Sequence, residues 1–351
     1  MSTLTYLLQT AGLAFVLAAL MAPVIIKKLR ELKFGQKILE DGPTWHKGKQ
    51  NTPTMGGVIF IAAMTLAVLT TLPAMASAHD YRALVMLGLS LVFGGIGMID
   101  DWTKIRKKRN KGLTALQKLL LQVAAAVLFL VTMRVMGYLS AELYIPFAGV
   151  SLRLPWPVYL ALSTFIIVGA DNAVNLTDGI DGLCSSVTAV VAVFFSLVFW
   201  REGSGAAAFS LALAGGLLGF FLFNKHPARV FMGDTGSLFL GGAVAGLAFA
   251  CDQPLILVLV GLIYVIETLS DILQVAYYKA TKKPVLDENG NPVRDAKGNI
   301  KMQGKRIFKK APIHHHFQLC GWGEKKIVLV FAGITVLMCI LAYFGVAPRY
   351  L

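Results

Sequence analysis

The stretch Ala83-Leu-Val-Met-Leu-Gly-Leu-Ser-Leu-Val-Phe-Gly-Gly-Ile-Gly-Met-Ile-Asp-Asp101 decides the fold. Residues 83 to 99 carry no charge, and two adjacent carboxylates close the run. A helix crossing the hydrocarbon core of a bilayer needs about 20 largely apolar residues. Working outward, apolar windows bounded by charge or by Pro and Gly clusters recur at about 4–26, 57–73, 83–99, 115–133, 155–170, 183–200, 206–223, 235–250, 254–276 and 327–345. They predict an all-α polytopic membrane protein of about ten transmembrane helices. Composition agrees, because 56% of the 351 residues are hydrophobic and 15% charged, where a soluble domain carries roughly a quarter charged. The first window has no basic residue before it, so it reads as a retained span and not as a signal peptide.

Charge gives the orientation. Counting alternate loops from the end of the first span, residues 27–56, 100–118, 171–182, 224–233 and 277–326 hold 28 of the 33 Lys and Arg residues. The other side holds Arg82, Arg134, Arg153, Arg201 and Arg349. Basic residues crowd cytoplasmic loops, so the richer face is predicted to be cytoplasmic and both termini outside. Nucleic-acid binding is the competing explanation of the +14 net charge, and it fits poorly with this hydrophobicity. Cys184, Cys251, Cys320 and Cys339 share no CxxC or other short ligand spacing. They predict neither a disulfide framework nor a zinc site, and are expected to be packing residues.

The acidic residues separate as well. Only Asp80, Glu142, Glu202 and Asp252 fall on the outer side, and several of the rest directly follow apolar residues: Asp100 and Asp101, Asp171 after Val-Gly-Ala, and Asp234 after Val-Phe-Met-Gly. Ionisable groups at membrane depth are costly and mark function by default. Successive side chains on a helix project about 100° apart, so at most one of Asp100 and Asp101 is expected to point into a site. The plain structural alternative pairs Asp100 with Lys104 at i,i+4. Ala170 to Leu183 reads as a polar loop held against protein, rich in the turn formers Asn, Asp and Gly. Clustered carboxylates suit Mg²⁺, and surrounding basic residues suit an anionic substrate. No Walker or GxGxxG loop is present.

In the fourth inner loop Asn224 precedes Arg229-Val-Phe-Met-Gly-Asp234-Thr-Gly-Ser237. Gly233 and Gly236 there are expected to let backbone N–H groups approach a ligand. Glu267, Asp271 and Gln274 fall at i, i+4 and i+7, one face of the ninth span, where pairing within the protein and ligand contact are equally open. Three consecutive histidines, His314 to His316, diverge on regular structure, so phosphate or substrate contact by one or two of them is preferred over a zinc site.

Thr52-Pro-Thr-Met-Gly-Gly57, Asp100-Asp101, Asn172-Ala-Val-Asn-Leu-Thr-Asp-Gly-Ile-Asp-Gly182, Phe231-Met-Gly-Asp-Thr-Gly-Ser237 and Ala311-Pro-Ile-His-His-His-Phe317 occur in this order on the predicted cytoplasmic face. Together they resemble the phospho-N-acetylmuramoyl-pentapeptide transferase (MraY) family, within the polyprenyl-phosphate N-acetylhexosamine-1-phosphate transferase superfamily. The resemblance implies transfer of phospho-MurNAc-pentapeptide from UDP-MurNAc-pentapeptide to undecaprenyl phosphate, giving lipid I and UMP with Mg²⁺, in peptidoglycan synthesis at the bacterial inner membrane. It implies metal binding by Asp234 and catalytic or metal-assisting roles for Asp100 and Asp101. His314 and His315 match essential histidines, and Lys49, Lys104 and Lys118 match basic substrate-site positions, with Lys47 a competitor in register for Lys49. Asn175, Asp178, Asp181, Phe231 and Gln274 match the nucleoside and substrate pocket, and Asn224 is grouped with them. A homodimer is a further implication. One departure from the family pattern is a longer stretch of about 284–305, where Glu288-Asn-Gly-Asn-Pro and Ala296-Lys-Gly-Asn-Ile read as turns of a hairpin-like insertion within a single domain spanning 1–351.

The expected mechanism is direct attack of the lipid phosphate on the β-phosphate of the sugar nucleotide, with a phospho-Asp100 route as the alternative. Rival functions are a related UDP-N-acetylglucosamine transferase and a transporter or flippase. Transporter sites lie near the midplane between repeats, and these motifs gather at one interface without a repeat.

Overall fold

A computed structural model of the chain describes residues 3–32, 52–106, 112–294 and 298–346. The elements in order are α1 (Thr3–Glu31), α2 (Gly57–Leu69), α3 (Leu72–Ala78), α4 (Arg82–Arg106), α5 (Ala115–Val135), β1 (Glu142–Ile145), β2 (Val150–Arg153), α6 (Trp156–Thr177), α7 (Leu183–Arg201), α8 (Ala207–Asn224), α9 (Gly233–Ala250), α10 (Leu257–Val260), α11 (Leu262–Ala280), β3 (Lys283–Pro284), β4 (Met302–Gln303), α12 (Ile313–Leu319) and α13 (Glu324–Val346). All ten apolar windows are helical. Among the described residues, seven helices are long and apolar enough to cross a membrane, and nine do so if α2 with α3, bent by 49°, and α10 with α11, bent by 82°, each form one span. The protein is a polytopic helical membrane protein.

The one remaining window, 235–250, lies in α9, which is diluted by glycine and carries Asp234, and every residue from Thr235 to Ala250 is buried. Its walls are other helices, so it needs less apolar surface than a lipid-facing span. Small residues make this enclosure possible, as is common for helices packed in membranes. A Cβ at Gly97 of α4 would overlap the Asp234 carbonyl, and one at Gly57 of α2 would overlap the backbone of Gly236. Phe60 of α2 packs edge-on against Phe220 of α8 and Phe239 of α9, with ring centroids 5.2 and 5.9 Å apart.

Two sequence expectations change here. The polar segment 170–183 is helical up to Thr177, because Asn172 and Thr177 bond back to the carbonyls of Val168 and Ala173 one turn earlier. Cys184, Cys251 and Cys339 are buried as expected, but Cys320 is exposed, since it follows the short α12 and not a span. Beyond α11, Lys283–Pro284 pairs antiparallel with Met302–Gln303, and bridges at Leu286 with Pro292 and Arg294 with Ile300 extend the turn-rich excursion.

Candidate active site

α4, α5, α6 and α9 bring their polar ends together at one end of the bundle. Asp100 and Asp101 are 4% and 3% exposed, and with Asp234 they offer carboxylate oxygens within 4.8 Å of one another. Both members of the pair therefore converge, contrary to the expectation that one would turn away. The reason is that Asp234 lies across them on α9 and each neighbour has its own anchor. Leu113 N–H donates to Asp100 Oδ1 at 2.6 Å, while Thr235 donates its N–H and its hydroxyl to Asp101 Oδ2 at 2.9 and 2.8 Å.

Lys104 Nζ lies 2.6 Å from Asp100 Oδ2, 2.9 Å from Asp234 Oδ2 and 4.0 Å from Asp101 Oδ1. The i,i+4 pair anticipated as a structural alternative is thus present inside the cluster. Lys118 Nζ reaches Asp234 Oδ2 at 3.3 Å. Asn175 donates to Asp234 Oδ1 at 3.1 Å and to Ser237 Oγ at 2.7 Å. The result is three carboxylates and two ammonium groups, poised to exchange partners with a cation and a phosphate. Its hard oxygen donors fit a Mg²⁺ ion, and an ammonium already seated among them shows that a cation is accommodated.

The 178–181 turn lies nearby. Burial, followed by the negative charges of Asp234, Asp101 and Asp181, pushes the Asp178 carboxyl well above its usual range. Asp181 Oδ2 accepts from Ala228 N–H at 3.0 Å and faces His226 Nδ1 at 3.1 Å. His226 Nδ1 also lies 3.3 Å from Glu324 Oε2. This Asp-His-Glu group is close enough to share a cation, yet backbone and imidazole N–H groups already bridge its oxygens.

α12 gives its three rings different hydrogen-bond partners, but the His314 and His315 rings lie together, with centroids 4.1 Å apart, where the sequence predicted divergence. His314 Nδ1 faces Glu267 Oε2 at 2.9 Å, with both side chains almost fully buried. The other face of the His314 ring abuts Gly179, where a Cβ would overlap Nε2. His315 Nδ1 faces Gln318 Oε1 at 2.8 Å, and His316 Nδ1 accepts Lys309 N–H at 3.1 Å.

Several anticipated residues serve the protein itself. Asn224 is buried, donating to Val230 O at 3.1 Å and accepting from Ser185 Oγ at 2.8 Å. Gln274 Oε1 accepts from Ile307 and Phe308 N–H, both at 3.0 Å, so the amide holds the chain leading into α12. On α11 the buried polar face is Glu267, Ser270 and Gln274, with Asp271 half-buried. Phe231 is half-buried, and its backbone clamps Pro53 and Gly56. Gly233, at φ +71°, lies against Asp101, Thr54 and Met55, and Gly236 against Gly57. Their lack of a side chain serves approach to protein where approach to a ligand was expected. Lys49, and its competitor Lys47, lie outside the described residues. Sequence reasoning missed Gln122, Thr235, His226, Gln318 and Glu324. Gln122 and Gln318 had a periodic signal, one turn from Lys118 on α5 and from His315 on α12.

The chain is similar to known proteins over most of its length. A family model described as Glycosyl transferase family 4 matches residues 83–252, which include the three carboxylates. The phospho-N-acetylmuramoyl-pentapeptide-transferase signature 1 matches residues 49–61. Phospho-N-acetylmuramoyl-pentapeptide-transferases from Clostridium perfringens, Acetivibrio thermocellus and Listeria monocytogenes are similar to the chain. The first is 45% identical over 94% of the chain and 94% of its own length. The second is 43% identical over 96% and 94%, and the third 42% over 97% and 98%.

Proposed function

The chain belongs to the phospho-N-acetylmuramoyl-pentapeptide-transferase family, and from that premise we propose that it transfers phospho-MurNAc-pentapeptide from UDP-MurNAc-pentapeptide to undecaprenyl phosphate. The products are lipid I and UMP, and the site faces the cytoplasm from the bacterial inner membrane, in keeping with the surplus of basic residues on that face. One observation carries the reading. Asp100, Asp101 and Asp234 meet within 4.8 Å, and Lys104 and Lys118 both bear on Asp234.

Phosphoryl transfer depends mainly on positioning and on stabilising spread negative charge. The lipid phosphate has a second pKa near 6 and is mostly dianionic at pH 7, so attack on the β-phosphate needs little help from a general base. Asp234, with Asp100 and Asp101, would hold Mg²⁺, which when bound supplies positive charge to the phosphate oxygens. Lys104 and Lys118 give up part of their hold on Asp234 to neutralise the pyrophosphate. Asn175 keeps the Asp234 carboxylate turned toward the cluster, and Leu113 N–H fixes Asp100. Asp178, Asp181 and Phe231 are assigned to the nucleoside side, and His314 and His315 to the phosphate side. The 284–305 excursion contributes no catalytic group within this single domain.

The test is UMP release in detergent with undecaprenyl phosphate and either UDP-MurNAc-pentapeptide or UDP-N-acetylglucosamine, at varied Mg²⁺. The expectation is turnover of the first nucleotide only, and a loss of about 100-fold or more in Asp234→Asn with a raised Mg²⁺ requirement. An unchanged Mg²⁺ dependence would sink the assignment of Asp234. A covalent adduct on Asp100 formed with sugar nucleotide alone would overturn direct attack.

A further inference from the structure

We propose that the turn-rich excursion from β3 to β4 is a membrane-docking element, which lays an exposed apolar face with a basic surround on the anionic headgroups of the adjoining leaflet. That leaflet is the cytoplasmic one in the orientation proposed above. The sequence repeats an eight-residue unit here, Pro284-Val-Leu-Asp-Glu-Asn-Gly-Asn291 and then Pro292-Val-Arg-Asp-Ala-Lys-Gly-Asn299. Both units place a glycine of positive φ at the same point, Gly290 at +80° and Gly298 at +83°. The short strand pieces around these turns close on one another. Val293 N–H donates to Val285 O and Lys301 N–H to Val293 O, both at 2.8 Å, while Val285 N–H donates to Lys301 O at 2.9 Å. Residues directly opposite on antiparallel strands point to one face, and alternate residues of a strand share it. The pairs Pro284 with Met302, Leu286 with Pro292 and Arg294 with Ile300 therefore bring five apolar side chains and one guanidinium to a single face. All six are exposed, Leu286 by 57%, Met302 by 44% and Ile300 by 42%. Val285 and Val293, on the opposite face, are half-buried.

Anchorage and charge decide what this face meets. The excursion starts two residues beyond the end of α11 and returns to it: Lys305 N–H donates to the Thr281 hydroxyl at 2.8 Å, and a Cβ at Gly304 would overlap the Tyr278 carbonyl. α11 exposes Leu269, Ile272 and Leu273, as a helix bordered by lipid does, so its last turn stands at the membrane interface. Strand pieces of three residues rise about 10 Å, which keeps the whole unit near that interface, where attraction to a charged surface survives physiological salt. Among the described residues from 279 to 310, nine are Lys or Arg and two are acidic. None of the nine forms an ion pair with another described residue. One of the two acids, Asp287, is engaged by the N–H groups of Asn289 and Asn291. A leaflet with anionic headgroups matches both features at this place, meeting the lysines with phosphates and the Leu, Ile and Met side chains with the acyl boundary.

The test puts a nitroxide label on Leu286→Cys, Met302→Cys or Gln303→Cys in the full-length protein. Cys320, the exposed native thiol among the four cysteines, is replaced by Ser throughout. Gln303 follows Met302 in the same strand and so faces the other way, which makes it the control. Accessibility of each label to oxygen, which dissolves in lipid, is read against a water-soluble nickel chelate, in nanodiscs of phosphatidylcholine alone or mixed equally with phosphatidylglycerol. In the mixed discs the Leu286→Cys and Met302→Cys labels are expected to shift several-fold toward oxygen relative to the Gln303→Cys label. Each Lys near an anionic surface is worth about fivefold in partition, so Lys282→Gln, Lys283→Gln and Lys301→Gln together are expected to abolish the shift. Nickel access at Leu286→Cys and Met302→Cys equal to that at Gln303→Cys overturns the proposal. An equal shift in both kinds of disc overturns the role of anionic headgroups, and shielding that persists in detergent or grows with protein concentration assigns the face to a second copy. None of these readouts requires turnover, and the two leaflets of a disc are alike, so the result stands apart from the transferase reading and from the orientation.

Discussion

Asp171 sits toward the C-terminal end of α6 at 0% exposure. One oxygen accepts from Gln122 Nε2 at 2.5 Å, and the other has no partner among the described residues. It is also pressed against Gly241, where a Cβ would overlap Oδ1. Gln122 in turn accepts from Asn172 Nδ2 at 3.2 Å. The pair lies one helical turn deeper than Lys118 and Asn175, so a polar layer underlies the carboxylate cluster without joining it. A carboxyl group with one hydrogen bond at this depth must either keep an unpaired charge or take up a proton in order to fold, and an amide with one unmatched N–H does neither. Asp171→Asn keeps the shape and the bond from Gln122. It is expected to raise stability by about 1 kcal/mol, with UMP release within roughly threefold of the parent. Thermal melting in detergent checks it, and a variant that melts well below the parent would refute the argument. Sequence alone grouped Asp171 with Asp100, Asp101 and Asp234, because all four follow apolar residues. Hydrophobic context locates a carboxylate near the interface, but its rotation about the helix and its partner on another helix are tertiary facts.

At the scale of elements, the crossing of α4 and α9 sets the site. Gly97 lies one turn before Asp101, and its Cα faces the carbonyl of Asp234 so closely that a methyl group would overlap it. The opposing surfaces are main chain, which cannot swing aside as a flexible side chain can. Gly97→Ala must therefore push the two helices apart where Asp101 meets Thr235. The expectation is a fall of more than about tenfold in kcat/KM, because misplacement of about 1 Å can cost far more than that, together with a raised Mg²⁺ requirement. The same change at Gly95, where no atom would lie within 4 Å of a Cβ, is expected to be nearly silent. Equal loss at both positions in UMP-release assays would argue against the crossing as the cause. The run Gly94-Gly95-Ile-Gly97 was legible as a span, because periodicity reports burial. Which glycine touches α9 was not, since that depends on the crossing angle. The same limit explains Gly233 and Gly236, which the sequence assigned to a ligand and the fold uses for helix contact. It also explains α6, whose polar last turns resemble a loop until the buried surface of α9 stands behind them.

Over the whole molecule, the carboxylate cluster at one end has a counterpart at the other. α4 rises about 1.5 Å per residue, so Arg82 and Asp100 stand at opposite ends of one helix. There Asp80 accepts from Arg82 Nη2 at 3.0 Å and from Ser204 Oγ at 2.7 Å. Arg82 Nη1 reaches Glu202 Oε2 at 3.4 Å and the carbonyl of Ala250 at 3.3 Å. This clasp ties the start of α4 to the turn between α7 and α8 and to the end of α9. It therefore holds, from the far end, two of the helices whose other ends meet in the site. Burial alone would raise the Asp80 carboxyl, but hydrogen bonds from Arg82 and Ser204, with the charge of Arg82, outweigh it and hold the group below its ordinary value of 3.8. A carboxyl depressed by folding contributes stability that is fully present above its unfolded value and is lost as pH falls through the folded one. Asp80→Asn is accordingly expected to cost about 1 to 2 kcal/mol near neutral pH. The gap between variant and parent should stay constant down to about pH 4 and close only under stronger acid. Mg²⁺ dependence and the sugar-nucleotide KM should not move, because no group of the clasp reaches the carboxylate cluster. Melting curves of both proteins between pH 3 and 8 check the sign: a gap that widens as pH falls would show that Asp80 is held by something other than Arg82 and Ser204.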